Sequence, residues 1–293
     1  MTTRLAVPVR HGLLSISAAA VAWGVGGAVA ALLMGAAGLG PVAVCAWRFA
    51  VAAGCLALLP AARRSAAAAS PRAAVLTGLG LAVSQCAYFG SVRYAGLGLG
   101  TLVTIGAGPV LTSLGAHLLL GERLTGRAVA ANLLALGGLT LLVAAPAAGP
   151  RPVLGVALAV LGGAGQSGLT LWARGGGEAR ASTGAFTTGL LCLLPLAWAE
   201  AAGGGLLPST GTPLLTGAAL LFLGTVPTLL AYRWYFAGLA AVPGATAAVL
   251  VLLEPATAAV LGVACFGEPL TAGLLAGSAL LLTAIAALTR RPG

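Results

Sequence analysis

The sequence predicts an all-α integral membrane protein in which ten transmembrane helices form two five-helix repeats of opposite orientation. Composition, ten long apolar segments and an internal repeat support this prediction. Of the 293 residues, 59% are apolar and only 7% are charged, whereas a soluble domain carries about a quarter of charged residues. Because so few charges cannot cover a globule of this size in water, most of the surface must face lipid.

Ten apolar segments are long enough to cross the hydrocarbon core as helices, which takes about 20 residues each. The connections between them are short and rich in Gly, Pro and Arg, so they leave no room for a soluble domain. The first segment is longer than the apolar core of a signal peptide, and we expect it to be a span. The predicted spans are 13–34, 40–60, 73–92, 96–119, 127–145, 153–173, 182–200, 213–236, 242–265 and 271–289.

The arginines predict the orientation in the membrane. If the N-terminus is cytoplasmic, only Arg93 and Arg151 fall at outer loops or outer span ends. The inner positions hold Arg4, Arg10, Arg63, Arg64, Arg72, Arg123, Arg127, Arg174, Arg180, Arg290 and Arg291. The positive-inside rule therefore predicts a multi-pass protein of the cytoplasmic membrane with both termini in the cytoplasm. The arginines are dispersed and form no basic face, so no nucleic-acid partner is expected.

The chain also repeats itself at a constant offset of 146 residues. Pro109, Gly121, Glu122, Leu124 and Thr125 recur as Pro255, Gly267, Glu268, Leu270 and Thr271. The predicted repeats are residues 1–146 and 147–293. Since each holds an odd number of spans, the second repeat must enter the membrane from the opposite side. Transporters use such inverted repeats to build two gates around one central site.

These motifs resemble those of the ten-helix, EamA-type exporters of the drug/metabolite transporter superfamily. The shared residues are Trp23-Gly24, Arg48-Phe49 after Pro41, Pro109 followed by the run 120–124, Glu254-Pro255, and the run 267–270. The resemblance covers the whole chain. It implies two bundles around a central cavity lined chiefly by spans 1, 3, 4, 6, 8 and 9, with spans 5 and 10 at the periphery.

Polar side chains inside the spans are the candidate site residues, because placing them against lipid is costly. The residues predicted to bind substrate are Trp23, Gln85, Tyr88, Thr101, Gln166, Thr228, Tyr232 and Glu254. The alternative is structural: Ser and Thr hydrogen-bond within helices, and Tyr and Trp anchor at membrane interfaces.

Glu254 is the most specific of these candidates. It lies near the middle of its span, immediately before Pro255, where a charged carboxylate costs about 2.5–3.5 kcal/mol. Proton coupling or binding of a substrate ammonium would explain it, and a protonated glutamate that bonds a neighbouring helix is the alternative. For Arg48, a structural role is favoured over binding of a substrate carboxylate, with snorkelling to the outer interface as one possibility.

Two further pairs of residues are expected to be structural. Glu122 and Glu268 lie just beyond their spans, and we expect each to cap and orient the next helix. Gly273 and Gly277 form a GxxxG pair, which indicates either helix packing or a dimer face. The protein could therefore be a monomer or a homodimer.

The sequence thus favours a secondary transporter that exports small metabolites such as amino acids. An intramembrane enzyme and a structural membrane subunit remain the alternatives. The chain contains no Asp and only two His, which excludes an aspartyl protease and an HExxH metal site. It has no phosphate-binding loop, and its five cysteines lack metal-ligand spacing. No cofactor or metal is expected, and the expected partners are a small-molecule substrate and membrane lipid.

Overall fold

A computed structural model describes residues 9–59, 70–121, 126–144, 149–174, 183–209, 213–239, 250–251 and 253–289. Several residues that bear on the sequence predictions lie outside the described residues: Arg4, Arg63, Arg64, Glu122, Arg123, Arg180, Arg290 and Arg291. The described chain is helical almost throughout and contains no strand.

Eleven α-helices and one π-helical segment make up the described fold. They are α1 (Val9–Ala36), α2 (Pro41–Leu58), α3 (Pro71–Ala95), α4 (Leu97–Leu120), α5 (Gly126–Ala144), α6 (Pro152–Arg174), α7 (Thr183–Ala202), α8 (Pro213–Thr225), π1 (Val226–Leu230), α9 (Ala231–Leu239), α10 (Leu253–Phe266) and α11 (Ala272–Thr289). Four of these helices begin with proline, which suits the first helical position because its missing N–H has no partner there in any case.

The helices occupy the ten predicted spans. Among the described residues, seven helical stretches are long and apolar enough to cross a membrane. Shorter apolar helices lie at the other three predicted spans, namely the fifth, ninth and tenth. The prediction of an all-α membrane protein with ten spans is therefore confirmed.

The eighth predicted span differs from the expected single helix. Instead, π1 interrupts it between α8 and α9. Such π-helical turns are rare and are frequently found at functional sites.

The glycine of the repeated Gly-Glu motif has the same backbone conformation in both copies. Gly121 ends α4 with φ +68°, and Gly267 follows α10 with φ +65°. This left-handed conformation stops a helix and is readily adopted only by glycine. The conformation explains why glycine recurs at the offset of 146 residues.

The two Gly-Glu loops lie at opposite ends of the bundle. Glu268 accepts hydrogen bonds from Leu97 and Gly98 at the start of α4, whereas Gly121 is at the end of the same helix. The 24 residues of α4 extend about 36 Å, the thickness of a membrane. Equivalent loops of the two repeats therefore face opposite sides, as an inverted repeat requires.

Loops that were predicted to be external meet at one end of the bundle. Backbone hydrogen bonds connect the first repeat to the second there. They run from Gly40 N to Gly205 O, from Ser209 N to Ala37 O, and from Arg151 N to Tyr94 O. This end, called the outer end below, joins the two repeats through their loops.

Helices α5 and α11 pack on each other and, more weakly, on α4. The backbones approach closely where Gly138 of α5 faces Gly277 of α11, because a Cβ added at Gly138 would lie 2.8 Å from the Gly277 carbonyl oxygen. Gly277 of the GxxxG pair thus serves packing within the chain. The peripheral position of these two spans agrees with the expectation from the family resemblance.

Candidate functional site

Arg48 lies at the centre of a group of polar and aromatic side chains between the helices. Its side chain is only 7% exposed. The Nε–H donates to Thr228 Oγ1 at 2.6 Å, and an Nη1–H donates to Gln85 Oε1 at 2.5 Å. The guanidinium carbon lies 5.5 Å from the centre of the Phe89 ring, within the range of a cation–π interaction. Arg48 therefore connects α2, α3 and π1, and it does not snorkel to the interface.

The π-helical segment explains why Thr228 is available to Arg48. Pro227 has no N–H, so it cannot bond the Leu223 carbonyl one turn earlier. The Thr228 hydroxyl donates to that carbonyl instead, at 2.7 Å. Since its only hydrogen is used in this way, the hydroxyl oxygen acts as an acceptor for Arg48.

The same segment provides an acceptor for Trp23. The Ala231 N–H donates to Val226 O, five residues back, rather than to Pro227 O as in a regular α-helix. Trp23 Nε1–H donates to Pro227 O at 2.8 Å. This bond holds the half-buried side chain of Trp23 on α1 against π1.

Aromatic rings surround this polar centre. The Trp23 ring centre lies 5.4 Å from that of Tyr232 and 5.6 Å from that of Tyr235. The Tyr88 hydroxyl and Thr101 Oγ1 are 3.1 Å apart and share a hydrogen bond. The rings offer apolar contact together with hydroxyl groups, a common lining for small-molecule sites.

Glu254, in the first turn of α10, faces this group. Its carboxyl interacts electrostatically with Arg48, Tyr88 and Tyr232. Arg48 and Glu254 are both described by the structure, and no N···O contact within 4.0 Å joins them in a salt bridge. A guanidinium and a carboxyl group thus belong to the same cluster without a direct ion pair between them.

The structure brings together seven of the eight residues that the sequence singled out. With Arg48 and Phe89 they are called the central cluster, which comprises Trp23, Arg48, Gln85, Tyr88, Phe89, Thr101, Thr228, Tyr232 and Glu254. Gln166 is not part of it. Its side chain on α6 is exposed, one turn from Gly162, which packs against α3. Substrate binding by the cluster stays a prediction.

Several polar residues of the spans serve packing instead. Ser84 Oγ donates to Gly162 O at 3.0 Å and so connects α3 to α6, and Ser167 Oγ donates to Gly108 O at 2.9 Å. Thr225 donates to a carbonyl of its own helix. These bonds match the structural alternative for Ser and Thr.

Sequence reasoning missed two features of the cluster. It did not predict that Arg48 bonds Gln85 and Thr228 at the centre of the cluster, and it did not identify Phe89 beside the guanidinium. The available signals were an arginine eight residues into an apolar span and a proline in the middle of another span. Each signal is ambiguous alone, because its meaning depends on which spans become neighbours.

Glu268 was expected to cap the next helix, but it caps α4 instead. Its Oε2 accepts from Gly98 N at 2.7 Å, and its Oε1 accepts from Leu97 N. Thr271 Oγ1 takes the cap position of the next helix, α11, by accepting from Leu274 N. Burial raises the pKa of the Glu268 carboxyl above its ordinary value, although the two N–H groups oppose that shift.

Glu200 forms a second cap of this kind at the outer end. Its carboxylate oxygens accept from Val42 N at 3.3 Å and from Ala43 N at 2.6 Å, in the first turn of α2. Both glutamates belong to the second repeat, and both capped helices belong to the first. A carboxylate is favourable at a helix N-terminus, where backbone N–H groups and the helix dipole attract it.

Comparisons with known proteins agree with this architecture. The model of the EamA-like transporter family matches the chain twice, at residues 10–144 and 153–290. The uncharacterized transporter YwfM of Bacillus subtilis is 30% identical over 216 residues, which cover 72% of this chain and 71% of that protein. The uncharacterized protein PA1977 of Pseudomonas aeruginosa is 40% identical over 199 residues, or 63% of this chain and 64% of that protein.

A solved crystal structure has the same fold. It aligns with a TM-score of 0.63 at 20% identity and covers 96% of this chain and 97% of its own. Two matches of one family model, in a helical chain with two repeats, account for nearly the whole length. The chain belongs to the EamA-like transporter family.

Proposed function

We propose that this transporter exports small metabolites such as amino acids across the cytoplasmic membrane by alternating access, coupled to protons. The proposal rests mainly on one observation. Arg48 and Glu254 belong to the same central cluster, yet no salt bridge joins them. Charged groups within the membrane are expensive and mark substrate or ion pathways.

The two charges suit the two ends of a zwitterion. A guanidinium is planar and binds a carboxylate through paired N–H donors. It carries five such donors, so the bonds to Gln85 and Thr228 orient it and leave it able to bind an anion. Glu254 would accept the substrate ammonium group or, between substrates, a proton.

The aromatic lining suits the rest of such a substrate. Trp23, Tyr88 and Tyr232 offer ring faces for an apolar side chain and hydroxyl or indole groups for orientation. The first four spans and the eighth and ninth spans all contribute to the cluster, so both repeats would contact the proposed substrate. A rocking motion of one repeat against the other would expose it to either side in turn.

The test uses purified protein in liposomes with a panel of labelled amino acids, with and without a pH gradient. We expect at least one amino acid to be transported, and a gradient to increase its accumulation. Glu254→Gln keeps the size and hydrogen bonding of the side chain but removes its charge. This variant should still exchange substrate and should lose its response to the gradient.

Thr257→Val is the matched control on the same helix. The Thr257 hydroxyl donates only to the carbonyl of Leu253, four residues earlier, so its removal should leave the response to the gradient unchanged. A normal response in Glu254→Gln would remove the coupling proposal and leave a structural role for Glu254.

A further inference from the structure

A small cavity opens at the outer end of the bundle, between the two repeats. Its volume is about 230 Å³. The residues that line it include Ala31, Val92 and Leu97 of the first repeat and Phe266 and Glu268 of the second. Arg93 is at its rim, where Nη1–H donates to Met34 O at 2.9 Å. The cavity has both apolar walls and charged groups.

Leu97 separates this outer cavity from the central cluster. The residue lines the cavity, yet it is only 1% exposed. On its inner side, its Cδ1 and the Tyr88 hydroxyl lie against the same residue, Gly27 of α1, within 3.1 Å and 2.5 Å of a Cβ built there. Leu97 thus borders the cavity on one side and lies next to the tyrosine of the cluster on the other.

Glu268 fixes the position of Leu97. Its carboxylate receives the N–H groups of Leu97 and Gly98, the first two residues of α4. Hydrogen bonds to a charged acceptor are stronger than those between neutral groups. The fit is close, because a Cβ at Gly98 or at Gly262 would lie within 2.8 Å of Glu268 Oε2. The start of α4 is therefore held by a residue of the other repeat.

We propose that Leu97 is the outer gate of the transport pathway and that Glu268 is the residue that holds this gate closed. This proposal rests on the transport pathway proposed above. The outer cavity is the vestibule through which substrate leaves. When the second repeat moves relative to the first, Glu268 withdraws from the start of α4, and Leu97 no longer separates the vestibule from the central cluster.

The test measures access to a cysteine just behind the gate. Thr101 is fully buried and bonds to Tyr88, so Thr101→Cys is the reporter. It is placed in a chain whose five native cysteines are replaced by alanine: Cys45, Cys55, Cys86, Cys192 and Cys265. Intact cells are treated with a membrane-impermeant maleimide. Glu268→Gln, which weakens the charged bonds, should raise the labelling rate of the reporter about tenfold.

Three further variants make the result decisive. Leu97→Ala, which removes the gate itself, should also raise the labelling rate. Glu200→Gln weakens the other carboxylate cap of the outer end, which holds the start of α2 rather than that of α4, and should leave the rate unchanged. Ala31→Cys, on the vestibule side of the gate, should be labelled equally with and without Glu268→Gln.

Any of three results would overturn the proposal: a reporter rate that neither Glu268→Gln nor Leu97→Ala raises, an equal rise with Glu200→Gln, or no labelling of Ala31→Cys from outside. Labelling needs no substrate. The experiment can therefore disprove the gate without affecting the proposed substrate class. Equally, the substrate class can be disproved without affecting the gate.

Discussion

Arg48 illustrates at the scale of one residue how a membrane protein keeps a charge in its interior. The cost of removing a guanidinium from water is large unless hydrogen bonds and charges compensate it. Here Gln85, Thr228 and the Phe89 ring all contact it. Such compensation requires neighbours from several spans, so the position of Arg48 depends on correct assembly of the helices.

Thr228→Val should destabilise the protein. The substitution keeps the shape of the side chain but removes a hydroxyl that serves both the Leu223 carbonyl and Arg48. Loss of an interhelical hydrogen bond costs about 0.6–2 kcal/mol in membranes. Thermal unfolding of the purified protein in detergent should show a lower Tm than the unsubstituted protein.

The control for this substitution is three residues away. Thr225 donates to carbonyls of its own helix, so Thr225→Val should leave the Tm almost unchanged. Equal Tm values for Thr225→Val and Thr228→Val would mean that the Thr228 hydroxyl contributes nothing beyond its helix.

At the scale of elements, the pair α5 and α11 depends on close backbone contact. Gly138→Ala would place a methyl group 2.8 Å from the Gly277 carbonyl oxygen, so the helices must move apart and lose packing. Gly137→Ala is the neighbouring control, because its methyl group would meet only a leucine methyl at 4.0 Å. We expect a lower Tm for Gly138→Ala than for Gly137→Ala, and the reverse order would contradict the packing described.

The π-helical segment shows where sequence reasoning ends for an element. Hydropathy places a span at 213–236, and the structure has helical residues from Pro213 to Leu239. The groups that π1 makes available, the Pro227 carbonyl and the Thr228 hydroxyl, are bonded by Trp23 and Arg48 from other helices. A span considered by itself contains no information about those partners.

Candidate site residues show the same limit. A polar face on a helix is expected whether it lines a cavity or packs on a neighbour. Gln85 and Tyr88 enter the central cluster, whereas Ser84 on the same helix bonds α6 and Gln166 is exposed. Only the arrangement of neighbouring helices distinguishes these cases.

At the scale of the whole molecule, lipid makes the fold unusually predictable. Every backbone group within the membrane must be bonded internally, so long apolar segments must be helices. The span predicted at 96–119 is the helix Leu97–Leu120, and the span predicted at 153–173 is Pro152–Arg174. The constant offset of 146 residues predicted the two repeats because the recurring glycines, Gly121 and Gly267, end equivalent helices.

The predicted orientation in the membrane leads to a test with reporter fusions. A reporter fused after Gly121 should be cytoplasmic, and one fused after Gly267 should be external, because these loops lie at opposite ends of α4 and arginines favour the inner side. Alkaline phosphatase and green fluorescent protein fusions measure this in intact cells. The same location for both reporters would contradict the inverted repeat.

Substrate exchange with Arg48→Lys in liposomes tests the central claim most directly. Lysine keeps the positive charge, but it has no planar guanidinium. It can therefore reproduce neither the bonds to Gln85 and Thr228 nor the remaining N–H groups that would bind a carboxylate. Labelled amino acid is exchanged against unlabelled amino acid without any gradient, so that coupling does not affect the result. We expect saturable exchange in the unsubstituted protein and a KM raised about tenfold or more in Arg48→Lys. An unchanged KM, or no exchange of any amino acid by the unsubstituted protein, would contradict the claim that the central cluster binds such a substrate.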